Sequence, residues 1–176
     1  TGALRLAAET IARADRDATI WIGTPSWPIH APIFREAGLT VRTYRHADLA
    51  QGHIDRGALD ETLGRMRAGD VLLLHGCCHN PTGATLSHDQ WRAIGALCES
   101  KGLLPFVDLA YQGLGDGLDE DAAAIRMLVS ALPTVVLAYS CDKNFGLYRE
   151  RVGALWVQAS SAATAAWPSP LSRRTP

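Results

Sequence analysis

Apolar positions recur along this chain in two alternating rhythms. ALRLAAETIARAD (3–15) has helical spacing, and TIWIGTP (19–25) is a short apolar strand that runs into turn residues. PIFREAG (32–38) predicts a short helix stopped at Gly38, and LTVRTYR (39–45) alternates as a strand does. DRGALDETLGRM (55–66) predicts a helix with an acidic first turn. VLLLHG (71–76) is apolar without a break, as expected of a strand buried on both faces. SHDQWRAIGALCESKG (87–102) predicts a helix with Ser87 as N-cap and Gly102 as C-cap. LLPFVD (103–108) is a strand, DEDAAAIRMLVSALP (119–133) a helix, TVVLAYS (134–140) a strand and VGALWVQA (152–159) the last strand. Strands alternating with helices predict an α/β fold, a mostly parallel sheet with flanking helices. The closing stretch SSAATAAWPSPLSRRTP (160–176) breaks the rhythm. Pro168, Pro170 and Pro176 forbid a long helix there, and the tail is expected to be poorly ordered.

Composition narrows the classes. The chain has 176 residues, 47% of them hydrophobic and 20% charged, which suits one globular domain or part of a larger one. A net charge of −1 gives no reason to expect a nucleic-acid partner. No apolar run reaches the length of a membrane span, and TGALRLAAET at the start lacks the basic and apolar regions of a secretory leader. Cys77, Cys78, Cys98 and Cys141 lack the spacing of a disulfide framework and are read as reduced thiols, which points to the cytoplasm. HGCCHN has no C-x2-C pair, so no metal is expected.

Polar residues gather where strands end. VLLLHGCCHNPTG delivers His75, His79 and Asn80, and LLPFVDLAYQG delivers Asp108 and Tyr111. TVVLAYSCDKN delivers Ser140 and Lys143, and TIWIGTPSWPIH places Trp27 and His30 just past a fourth strand. Open parallel sheets bind ligands outside the carboxyl ends of their strands. A lysine forms Schiff bases with carbonyls. A buried aspartate holds a pyridinium nitrogen protonated, an aromatic ring stacks on a flat cofactor, and Arg151 with Ser140 suits a phosphate. Together these are the needs of pyridoxal 5′-phosphate.

Each residue also has a plainer reading. A lysine after a strand is ordinarily solvated, Trp27 could simply fill space, Asp108 could cap a helix and Arg151 could pair with Glu150 or Asp116. His75 and His79 read as structural histidines, and Cys98 as part of the core.

Four motifs in register tip the balance. PSWP.H, HGCCHNPTG, D.AYQG and S..KNFGLY.ERVG follow one another as in the fold-type I, class I aminotransferases, and from Thr1 to about Ser161 the chain resembles their aspartate and aromatic amino-acid subgroup. The resemblance implies that 1–161 is part of the cofactor-binding large domain, with 162–176 diverging from the family. It implies Lys143 as the catalytic Schiff-base lysine and proton shuttle, Asp108 as the partner of the pyridinium nitrogen, and Asn80 with Tyr111 on the ring hydroxylate. Trp27 would stack on the ring, Ser140 and Arg151 would hold the phosphate with Thr1 and Gly2 at a helix start, and His30 would support Asp108 from behind.

The implied reaction moves an amino group between an aromatic or acidic amino acid and a 2-oxo acid, in a homodimer, with HGCCHNPTG leaning toward aromatic substrates. Three positions depart from the family pattern: Asp142 replaces a serine near the phosphate, Ile29 an asparagine, and Arg149 a small or amide residue. The small domain that carries the arginine for the substrate carboxylate is not within these 176 residues, so the chain alone is expected not to transaminate. A non-catalytic remnant that binds pyridoxal phosphate, or a lyase or decarboxylase of the same fold type, are the alternatives.

Overall fold

The computed structural model describes residues 1–48, 53–54 and 56–159. The elements in chain order are α1 (Gly2–Ala14), β1 (Thr19–Thr24), α2 (His30–Glu36), β2 (Thr40–Arg45), β3 (Ala47–Asp48), β4 (His53–Ile54), α3 (Arg56–Arg65), β5 (Val71–His75), α4 (His88–Lys101), β6 (Leu104–Leu109), α5 (Ala123–Ala131), β7 (Val135–Ser140) and β8 (Gly153–Gln158). The main sheet has six strands in the order β2-β1-β5-β6-β7-β8. Every pairing is parallel except β7 with β8, which is antiparallel. The expected α/β architecture is therefore the observed one. The small antiparallel pair β3–β4 was not foreseen, because two-residue strands carry no periodicity.

Alternate residues of the central strands face two separate apolar layers. Val71 and Leu73 of β5 join Phe106, Leu4, Ala7, Ala8, Ile11, Ile33 and Phe34 on the side of α1 and α2. Leu72 and Leu74 join Val107, Leu63, Trp91, Ile94, Cys98 and Leu128 on the side of α3, α4 and α5. Helix α1 presents its inward residues at i, i+3, i+4 and i+7, the stripe that a helix against a sheet requires. The unbroken apolar run in β5 follows from burial on both faces.

Boundaries shift where local signals compete. Helix α5 begins at Ala123 rather than near residue 119, because Asp121 is drawn into the preceding loop, where it accepts N–H bonds from Gly113, Gly115 and Asp116. Helix α3 has no acidic first turn: Asp60 and Glu61 come a turn later, and residue 55 lies outside the described residues. The predicted tail falls outside them too, from residue 160 onward. Strand β8 lies at the sheet edge with Trp156 60% exposed. Among the described residues, no helix is long and apolar enough to cross a membrane.

Helix α4 has both expected caps. The Ser87 hydroxyl accepts the Gln90 N–H, and the Gln90 side chain accepts the Ser87 N–H at 2.7 Å. Gly102 closes the helix in the left-handed region, at φ 65. Substituting Ser87→Ala is expected to cost about 1 kcal/mol, read as a lower urea midpoint with an unchanged slope.

Candidate active site

The chain order of the strands reverses between β1 and β5, and a cavity of about 200 Å³ opens beyond their carboxyl ends. Thr1, Trp27, Asn80, Asp108, Tyr111, Ser140, Lys143 and Arg151 line it, together with His75 and Asp142. Parallel pairing puts the ends of β5, β6 and β7 side by side, with His75 opposite Asp108 and Leu109 opposite Tyr139. A larger cavity of about 370 Å³ near the opposite end of the strands is lined by apolar residues with Asp15 and Glu99, and no cation lines it.

Asp108 is held from behind. His30, fully buried at the start of α2, places Nε2 2.8 Å from Asp108 Oδ2. The bond continues inward: His30 Nδ1 lies 2.9 Å from Ser26 Oγ, and Ser26 Oγ lies 3.2 Å from His75 Nε2. Asn80 N–H donates to His75 Nδ1 at 3.4 Å, so a neutral His75 carries its proton on Nε2 and donates to Ser26. Ser26 can then donate to His30 Nδ1, leaving His30 Nε2–H to donate to Asp108. A backbone amide thus sets the tautomer of a ring two links away.

The half-buried His75 leans at 47° against buried His79, which stacks at 23° on buried His46. The His75 and His79 ring centroids are 4.2 Å apart, and those of His79 and His46 are 4.3 Å apart. Gly23 leaves room for this stack, since a Cβ there would come within 2.6 Å of the His46 side chain. Burial pushes His75 down to about 2 and His79 down to about 4, and it lowers His46 as well.

Above Asp108, the Asn80 amide donates to Tyr111 Oη at 3.4 Å, and Lys143 Nζ sits 5.1 Å from the centre of the Tyr111 ring. Trp27 meets His30 edge to face at 5.2 Å. At the other end Arg151, with φ 55, donates to Thr1 Oγ1 and to the Tyr148 carbonyl, both at 3.2 Å, and forms an ion pair with Asp142. Ser140 Oγ accepts the Asp142 N–H, which leaves its own hydrogen free to donate. The cavity thus has a carboxylate at one end, the Arg151–Asp142 ion pair and a free Ser140 hydroxyl hydrogen at the other, and an amine beside an aromatic ring.

Residues 1–169 match the family described as aminotransferase class I and II. The chain belongs to that family. The tyrosine aminotransferase of Rhizobium meliloti is 52% identical over 165 residues, which are 94% of this chain and 42% of that protein. The aspartate aminotransferase of Haemophilus influenzae is 48% identical over 165 residues, again 94% and 42%. A crystal structure of the aromatic-amino-acid aminotransferase from Burkholderia pseudomallei, covalently bound to pyridoxal phosphate, superposes with a TM-score of 0.90 at 36% identity, over 94% of this chain and 41% of that one. The chain spans about 42% of the length of the curated relatives it matches.

Most of the residues read from the sequence come together in this aminotransferase domain. Gly2 and His30 do not line the cavity: Gly2 is the first helical residue of α1, and His30 stands behind Asp108. Arg151 pairs with Asp142, not with Glu150 or Asp116, and Asp108 caps no helix. Ile29 and Arg149 are exposed and do not line the cavity. His75, placed at the rim from the sequence but read as structural, hydrogen-bonds into the site, and Ser26 was not singled out. The i, i+4 spacing of Ser26 and His30 was the available signal, but the link to His75 exists only because β1 and β5 are neighbours.

Cys77, Cys78 and Asp121 offer ligand atoms within 4.8 Å of one another. Asp121, however, spends both oxygens on backbone N–H groups of Gly113, Gly115 and Asp116.

The buried histidines generate a pH dependence. Their folded-state values lie below the unfolded value of about 6.5, so the unfolded chain binds more protons in acid. Stability from His79 is complete above about 6.5 and is lost as pH falls toward about 4, while that from His75 declines on toward about 2. His79→Gln is expected to flatten the slope of unfolding free energy between pH 6.5 and 4 by at most about 1.4 kcal/mol per pH unit, measured by urea unfolding across that range.

Proposed function

We propose that the protein carrying this domain is a pyridoxal-phosphate-dependent aminotransferase acting on an aromatic amino acid and a 2-oxo acid, as a homodimer, with an acidic amino acid as the second substrate class. One observation carries the reading. Lys143, Asp108 backed by His30, the Asn80–Tyr111 pair, and the Ser140–Arg151–Thr1 group converge on one cavity beyond the ends of three adjacent parallel strands. The names of the relatives, tyrosine at 52% identity and aspartate at 48%, support both substrate classes and rank aromatic first.

The donor set fits the cofactor. Asp108 would accept from the pyridine N–H, and the fixed His30 donor keeps that carboxylate oriented. Asn80 and Tyr111 would hold the phenolic oxygen, and Trp27 would cover the ring. Arg151 and Ser140 would donate to the phosphate at the start of α1, where the free N–H groups of a helix favour an anion. Pyridoxal phosphate, when bound, supplies a carbonyl carbon that exchanges with amino groups and a pyridinium ring that draws electrons from the substrate Cα. Lys143 would hold the cofactor and, as a neutral amine, move the proton between the substrate Cα and the cofactor carbon. Asp108 would keep the ring nitrogen protonated.

Two experiments test these roles in the full-length protein. Incubation with pyridoxal phosphate followed by borohydride is expected to give one stable adduct, at Lys143 by peptide mass mapping. Label spread over surface lysines would overturn the assignment. Asp108→Ala is expected to lose several orders of magnitude in transamination rate while still binding pyridoxal phosphate, and Asp108→Glu far less. Equal losses in both variants would assign Asp108 to folding instead.

A further inference from the structure

In an α/β crossover the helix runs back against its strands, so the carboxyl ends of the helices collect where the strands begin. The C-cap residues of three helices, Asp15 of α1, Gly102 of α4 and Leu132 of α5, line one cavity of about 370 Å³. Ala18, Gly69, Leu103 and Thr134, each within two residues of the start of β1, β5, β6 or β7, line it too. It thus lies across the gap between the two apolar layers, with Ile11 and Ala18 from one and Leu103 and Leu132 from the other. Lys143 and Asp108 stand at the opposite end of the same strands.

The wall of this cavity is apolar, but the field inside it is negative. A helix carries roughly half a negative charge at its carboxyl end, and three such ends meet here. Asp15 and Glu99 add two exposed carboxylates. Asp15 Oδ1 accepts the Asp17 N–H at 2.9 Å, while Oδ2 lies over Gly69, 3.6 Å from where a Cβ would stand. Neither carboxylate is ion-paired among the described residues. The basic residues in the last turns of these helices point their charge elsewhere. Lys101 donates to the Leu63 and Gly64 carbonyls, and Arg13 lines a different cleft with Arg5 and Glu36. We propose that this cavity binds an organic cation, an apolar aromatic or branched body that carries one ammonium group. The body covers Ile11, Leu103, Leu104 and Leu132, and the ammonium meets the carboxylates of the rim. The volume lies within the range of ordinary small-molecule sites. Charge complementarity chooses the class of ligand: a neutral molecule of the same shape forgoes the attraction, and an anion is repelled by carboxylates and helix ends alike.

The probe is N,N-dimethyl-4-phenylbutylamine, a tertiary amine that is charged at neutral pH and cannot condense with a carbonyl. Its affinity for the full-length protein is measured by calorimetry beside 4-phenylbutan-1-ol and 4-phenylbutyrate, which keep the apolar body and change the charge. The amine is expected to bind about tenfold more tightly than the alcohol, and the carboxylate not to bind. Added salt should weaken the amine and leave the alcohol unchanged. Carbon-13 methyl shifts of Ile11 and Leu104 should move on titration with the amine. Asp15 and Glu99 are exposed, so the double variant Asp15→Asn with Glu99→Gln should keep the fold and bring the amine down to the affinity of the alcohol. Ala14, also exposed, lines the cavity, and Ala14→Trp should fill it and abolish binding of both. Equal affinities for amine and alcohol in the wild type, an unchanged amine affinity in the double variant, or binding that leaves the Ile11 and Leu104 methyls unmoved would overturn the proposal. So would failure of the amine to bind the wild type, which would mean that the rest of the polypeptide covers this end of the sheet.

Discussion

Burial of the central strands on both faces is the constraint on which the rest depends. Strands β5, β6 and β7 lie between two apolar layers, so their side chains have almost no freedom to be polar along their length. Polar chemistry is pushed to where the strands stop. Parallel pairing then turns three separate stops into one rim, because neighbouring strands that run the same way end on the same side. A sheet of antiparallel neighbours would have sent Asp108 and Lys143 to opposite ends.

On that rim, two carboxylates meet different fates. Asp108 is served by a histidine whose tautomer is set through Ser26, His75 and a backbone amide, so its Oδ2 has a fixed donor in the interior. The cavity wall is then held in place at Asp108. Asp142 has instead captured Arg151 and still has an oxygen without a donor. The first arrangement is complete within the chain, whereas the second leaves one buried acceptor unpaired. Low dielectric sharpens the contrast, since satisfied buried networks stiffen a site and unsatisfied ones strain it.

The histidine stack shows how packing and electrostatics combine. His75, His79 and His46 lie ring against ring in space that Gly23 keeps open, and burial holds them neutral. Neutral rings can stack closely and can both accept and donate, which is what the relay to Asp108 requires. The same neutrality makes the fold sensitive to acid, so orienting Asp108 and tolerating low pH are opposed demands on the same residues.

The apolar rhythm of the sequence by itself determined the alternation of strands and helices, the double burial of β5 and the caps of α4, because periodicity and cap chemistry act over a few residues. It also marked Lys143, Asp108, Asn80, Tyr111, Ser140 and Trp27, since polar residues just after an apolar run stand out, whereas Arg151 was marked by its phosphate chemistry and the family resemblance. Three things were decided only by tertiary structure. Asp142 took Arg151 because the turn after β7 folds back on itself, and no spacing rule distinguishes that partner from Glu150 or Asp116. Asp121 left the start of α5 for the loop at Gly113, where backbone N–H groups offered more than another turn of helix. Ser26 and His75, 49 residues apart in sequence, met because β1 and β5 became neighbours, a contact fixed by the order of the strands in the sheet and not by any local signal.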